Sequence, residues 1–162
     1  MVFVVLRIGQ KVPEFSLPDT QGRERSLAEL IRDAGALLVF FPFAFSGVCD
    51  KEMCAFRYML SGPSASGARV VGISVDSLFA LKAFSRTYDL PFLLLSDFNK
   101  KVSKLYGVLQ ERWVGYGYGG VANRSVFVVD RKGVLRYRWM SDVPSNEPPY
   151  VEVVRASAKL KG

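Results

Sequence analysis

Apolar residues along this chain fall into short unbroken runs, separated by stretches with helical spacing, and that alternation sets the expected architecture. Leu37-Leu38-Val39-Phe40-Phe41 is a continuous apolar run closed by Pro42, the pattern of a strand buried on both faces. Arg69 to Val75 (RVVGISV) and Phe92 to Leu95 (FLLL) read as two further buried strands. Ser125 to Val129 and Val134 to Trp139 read as two more, joined by the hairpin-type turn Asp130-Arg131-Lys132-Gly133.

Helical segments fill the gaps. One is expected from about Gly47 to Leu60, with Met53, Phe56, Tyr58 and Leu60 on its apolar faces and Ser61-Gly62-Pro63 as its stop. Another starts at Asp76 or Ser77 as cap and ends before Leu90-Pro91. Lys100 to Tyr106 forms a short helix ended by Gly107, and Val151 to Leu160 a closing one. Ahead of these, residues 14–17 and 23–26 flank the turn Pro18-Asp19-Thr20-Gln21-Gly22 as a short hairpin. Ser26 then caps a brief helix, with Glu29 three residues on. No repeat, low-complexity segment or linker interrupts this order. The expectation is one α/β domain over residues 1–162, a mixed central sheet flanked by helices with an N-terminal hairpin.

Composition narrows the chemistry. Hydrophobic residues make up 49% and charged residues 23% of the chain, a globular balance. Histidine is absent, which removes Ser-His-Asp and Cys-His pairs, HExxH zinc sites and imidazole pH switches. Only two cysteines, Cys49 and Cys54, are available, too few for an ordinary structural zinc site. The apolar stretch Met1–Leu6 is too short for a signal h-region, and the run Ala36–Phe45 is far short of a membrane span. A cytoplasmic, reducing setting without membrane attachment is expected, in which a close cysteine pair is catalytic or redox-sensing more often than structural.

Both thiols fall in FFPFAFSGVCDKEMC, immediately beyond the buried run at 37–41, where open α/β sheets present function. Cys49 belongs to the first turn of a helix, whose unpaired N–H groups and dipole stabilise a thiolate. Ser46 stands three residues before it, placed to cap the helix and to hydrogen-bond the sulfur or a bound oxygen. Pro42 is placed to shield one side. The bland alternative is a pair of inert cysteines packed as small hydrophobes.

Pro42-x3-Ser46-x2-Cys49-x2-Glu52 resembles the peroxiredoxin motif Pro-x3-Thr/Ser-x2-Cys-x2-Glu. Gly9 with Val12-Pro13-Glu14-Phe15-Ser16-Leu17-Pro18-Asp19 is similar to that family's N-terminal segment. Val70-Val71-Gly72-Ile73-Ser74-Val75-Asp76 is similar to its V-x-G-I-S-x-D strand, and Asn123-Arg124-Ser125 through Gly133 to its R-x-T/S-F-x-I-D-x-x-G hairpin. Cys49-x4-Cys54 resembles the subgroup called peroxiredoxin Q or bacterioferritin comigratory protein. Serine replaces the commoner threonine at 46, and Val126 stands where the hairpin pattern has Thr or Ser.

The resemblance implies a thioredoxin-like fold and a thiol-dependent peroxidase acting on hydrogen peroxide and organic hydroperoxides, with no cofactor and no metal. It implies Cys49 as the peroxidatic and Cys54 as the resolving cysteine of an intramolecular disulfide. Pro42, Ser46 and Arg124 complete the site, with Glu52 orienting the arginine. The implied reductant is a thioredoxin-like dithiol protein, and the implied state a monomer or homodimer. On one intact helix, five steps would hold the Cα atoms of residues 49 and 54 about 8.7 Å apart. A disulfide tolerates about 7 Å, so the pairing requires the helix to remodel.

Other readings carry less. A thiol–disulfide oxidoreductase favours Cys-x-x-Cys, and this pair is Cys-x4-Cys. A basic binding module is the second alternative: Lys and Arg exceed Asp and Glu by 22 to 15, net +7. Its basic clusters, Lys100-Lys101-Val102-Ser103-Lys104 and Arg131-Lys132 with Arg136 and Arg138, read more simply as solvated faces than as a nucleic-acid surface. Gly115-x-Gly117-x-x-Gly120 matches a dinucleotide fingerprint in letters only, since strand-like residues follow where a helix is needed. It reads instead as a mobile aromatic–glycine loop beside the site.

Overall fold

The computed structural model describes residues 5–60, 67–112, 116–141 and 143–161. The expected stop at Ser61-Gly62-Pro63, residues 1–4 of the apolar N-terminal stretch, Trp113 and Gly115 lie outside the described residues.

The hairpin pairs β1 (Ser16–Pro18) with β2 (Glu24–Ser26). Helix α1 (Leu27–Ile31) follows directly, with the Ser26 hydroxyl accepting from the Glu29 amide as an N-cap. The remaining elements are β3 (Ala36–Phe40), α2 (Val48–Leu60), β4 (Arg69–Ser74), α3 (Leu78–Thr87), β5 (Leu93–Ser96), α4 (Lys101–Leu105), β6 (Leu109–Gln110), β7 (Val121–Ala122), β8 (Arg124–Val129), β9 (Leu135–Ser141) and α5 (Tyr150–Ala158). Ser77, one of the two expected caps, accepts from the Ala80 amide to start α3.

Five strands form a mixed sheet in the order β5-β4-β3-β8-β9. β3 is central, parallel to β4 and antiparallel to β8. All five of its residues are fully buried, as an apolar run without alternation requires. Strand periodicity divides its side chains between two cores. On one face Leu38, Phe40, Val71, Ile73, Phe127 and Val129 pack with Leu27 and Leu30 of α1 and with Val102 and Tyr106 near α4. On the other, Leu37, Val39, Val126 and Val128 pack with Met53 and Phe56 of α2, Leu81 and Phe84 of α3, and Val153 of α5.

Gly72 makes room for the Leu94 side chain of the neighbouring strand β5. A Cβ there would stand 2.6 Å from Leu94 Cδ2, 3.2 Å from Phe41 and 3.5 Å from the Met53 sulfur, so a larger residue would force the Leu94 side chain to move. The β6–β7 ribbon was not expected from the sequence; it closes the aromatic–glycine loop at its base. No helix among the described residues is long and apolar enough to cross a membrane.

Candidate active site

The site assembles where the central strand ends. β3 stops at Phe40, Pro42 is buried, and the chain turns through residues 43–47 into α2. Two non-helical backbone conformations make that turn: Phe45 at φ 62° and Gly47 at φ 81°. A left-handed phenylalanine is uncommon and strained, and its surroundings hold it. The Phe45 ring meets Phe84 edge-on at 5.1 Å and lies 6.3 Å from Tyr88.

The turn is also tied to β4. The Ala44 amide donates to Asp76 Oδ2 at 2.8 Å, and the Ser74 hydroxyl donates to the same oxygen at 2.7 Å. Burial pushes the Asp76 carboxyl up, while these bonds pull it down. From sequence Asp76 was only a possible helix cap; its hold on the turn was not foreseen, although it ends the V-x-G-I-S-x-D segment.

The Ser46 hydroxyl donates to the Phe43 carbonyl at 2.8 Å, closing the turn that leads into α2. A hydroxyl whose proton is so engaged keeps its lone pairs for accepting.

Cys49 is the second residue of α2, within the first turn as expected, and Glu52 follows three residues later. Positions three apart share a helix face. Glu52 is fully buried, and its Oε2 accepts from Arg124 Nη1 at 2.5 Å across 72 residues of sequence. Arg124 opens β8 one residue beyond the Phe40–Ser125 pair, which brings it level with the end of β3. It is 2% exposed, and its Nε and Nη2 both donate to the Pro144 carbonyl, at 3.3 and 2.9 Å. Pro144 is a contributor that the sequence reading missed, since a backbone carbonyl leaves no residue-type signal. Burial raises the Glu52 carboxyl to about 7, opposed by the charge and hydrogen bond of Arg124. A fixed guanidinium therefore sits beside the face of α2 that carries positions 49 and 52.

Cys54 is half-buried with a free thiol, and α2 runs unbroken past it to Leu60. The structure thus brings Pro42, Ser46, Glu52, Arg124 and the first turn of α2 to the end of the central strand, with Cys54 more than a turn further along. Tyr118 packs edge-on to Phe43 at 5.7 Å, placing the aromatic–glycine loop against the turn. Strands follow Gly120 rather than a helix, so the dinucleotide pattern has no structural context. Among the described residues, no three Asp, Glu or Cys side chains are grouped to hold a metal ion.

Residues 8–138 match the AhpC/TSA family, and the chain belongs to it. It is 38% identical over 135 residues to a putative peroxiredoxin bcp of Coxiella burnetii, covering 83% of this chain and 88% of that protein. It is 37% identical over 129 residues to the chloroplastic peroxiredoxin Q of Triticum aestivum, covering 80% of this chain and 57% of that one. The crystal structure of peroxidoxin BcpB from Mycobacterium tuberculosis superposes with a TM-score of 0.80 at 28% identity, over 96% and 97% of the two chains. That of a peroxiredoxin-like protein from Aquifex aeolicus gives 0.85 at 26% identity, over 97% and 89%. The chain is a thiol-dependent peroxidase of the peroxiredoxin class, with a thioredoxin-like fold.

Proposed function

We propose that Cys49 is the peroxidatic thiol, that Cys54 resolves it as an intramolecular disulfide, and that a thioredoxin-like dithiol protein reduces the product. The observation that carries this reading is the buried Arg124–Glu52 pair beside the first turn of α2. With no histidine in the chain, a thiolate there depends on the helix N-terminus and a cation. Arg124, immobilised by Glu52 and Pro144, is that cation, and its charge also offsets the negative charge that grows on the peroxide during attack.

The thiolate displaces hydroxide from the peroxide O–O bond and becomes a sulfenic acid. Ser46, its proton engaged by Phe43, offers lone pairs to the peroxide O–H and so aims the oxygen pair at the sulfur. Pro42 covers one side of the turn. The Cys54 thiol then condenses with the sulfenic acid, releasing water and leaving a disulfide. Positions 49 and 54 are about 8.7 Å apart on an intact helix, beyond disulfide reach, so the segment 47–54 unwinds at this step. Exchange with the reductant's thiolates restores both cysteines.

Hydrogen peroxide and organic hydroperoxides are the substrates, and the protein works as a monomer or homodimer in the cytoplasm without a cofactor. Peroxide consumption coupled to thioredoxin oxidation tests the reading. Turnover should be lost in Cys49→Ser, and in Cys54→Ser it should stop after one equivalent with thioredoxin as reductant. Full activity in Cys49→Ser would reject the assignment.

A further inference from the structure

Tyr88 grips α2 on both sides of Cys54. Its hydroxyl donates to Asp50 Oδ2 at 2.7 Å, and its backbone carbonyl accepts a short hydrogen bond from Arg57 Nη1. Residues 50, 54 and 57 are spaced four and three apart, so they lie along one face of the helix, with Cys54 between the two attachments. The bond to Asp50 is also the chief cause that raises the Tyr88 hydroxyl above its ordinary value.

The tyrosine itself is anchored. It is the C-cap of α3, where its amide donates to the Phe84 carbonyl, and its ring meets the fully buried Phe84 at 5.2 Å. Phe45, on the turn that carries Ser46, rests on the same two rings.

We propose that Tyr88 is a positioning residue for the resolving step: a latch whose bond to Asp50 holds the first turns of α2 wound. This rests on Cys54 being the resolving thiol. Unwinding over 47–54 must break the Asp50 bond. The Arg57 bond lies beyond that segment and keeps the rest of the helix seated on α3. The latch therefore sets the division of the sulfenic acid between two fates. In one, Cys49–SOH and Cys54–SH give the disulfide and water. In the other, the sulfenate takes an oxygen from a second hydrogen peroxide, giving the sulfinate and water. A tighter latch lengthens the wound state and favours the second fate.

Tyr88→Phe tests this, because it keeps the ring packing and the carbonyl and removes only the hydroxyl. Rapid mixing with hydrogen peroxide separates attack from disulfide formation, and mass spectrometry counts disulfide and sulfinate. Attack should proceed at the wild-type rate. Disulfide formation should quicken about tenfold or more, the scale of one hydrogen bond to a charged acceptor. The peroxide concentration that traps half the protein as sulfinate should rise by the same factor. Amide exchange over residues 50–54 of the reduced protein should quicken likewise, a readout that does not depend on turnover. Unchanged disulfide formation and exchange in Tyr88→Phe would overturn the latch alone. A loss of attack rate alongside them would mark the hydroxyl as merely structural and overturn it too. A wild-type protein that forms no Cys49–Cys54 bond would overturn the resolving role, and the latch with it.

Discussion

Removing the charge of Arg124 should separate the chemistry of this site from its architecture. The guanidinium is 2% exposed and its partner Glu52 fully buried, 2.5 Å away, so solvent screening is minimal. A preorganised donor in such a setting contributes about 100-fold to a rate, or about 2.7 kcal/mol of barrier. Arg124→Ala should therefore slow peroxide attack about 100-fold or more. The substitution also leaves the Glu52 carboxyl and the Pro144 carbonyl without their donor, at about 3–5 kcal/mol where Glu52 is ionised. Protonation of Glu52 relieves part of that cost, so the stability deficit shrinks toward acid. Attack is read by stopped-flow on the reduced variant, under conditions where its circular dichroism is native. Arg124→Lys should recover only part of the rate, because a point charge cannot bond Glu52 through one nitrogen and Pro144 through two others. Near-normal attack in a folded Arg124→Ala protein would refute the reasoning.

Three further outcomes are expected. The Glu52 carboxyl stands near 7 in the folded protein against an ordinary 4.5. The native state then holds the proton that the unfolded chain releases, so stability present at pH 4.5 and below is lost as pH rises through 7. The loss amounts to about 3 kcal/mol, and Glu52→Gln should flatten it in urea titrations at pH 5 and 7.5; equal slopes for both proteins would count against it. Gly72→Ala should cost about 1–3 kcal/mol, because its Cβ collides with Leu94 and crowds Phe41; an unchanged urea midpoint would contradict that contact geometry. Cys49 should alkylate faster than Cys54 at mildly acidic pH when each is compared in the single mutant of the other, since the helix dipole fades beyond the first turn; equal rates would oppose the assignment.

The fold was legible wherever one physical rule dominated. Unbroken apolar runs identified β3, β4 and β5 to within about one residue, and Ser26 and Ser77 marked helix starts through their hydroxyls. The β6–β7 ribbon escaped notice because two-residue strands carry no periodicity. Legibility of the site followed the same line. The first turn of α2 could be read locally, from a buried strand, a proline and a polar residue before the cysteine. The meeting of Arg124 with Glu52 could not, because 72 residues separate them and only the pairing of β8 with β3 brings them together. The Asp76 and Pro144 contacts depend on backbone atoms, which residue identity does not reveal.

In the proposed cycle Cys49 takes the oxygen, and α2 must unwind before Cys54 can resolve it. One equivalent of hydrogen peroxide added to the reduced protein, followed by intact mass, peptide mapping and amide hydrogen exchange, tests both parts together. The predicted result is loss of two hydrogen atoms, a linked Cys49–Cys54 peptide, and residues 47–54 stripped of helical protection while the central sheet keeps its own. A protein that gains one oxygen and leaves Cys54 open to alkylation would contradict the account, as would a Cys49–Cys54 bond within a helix still fully protected.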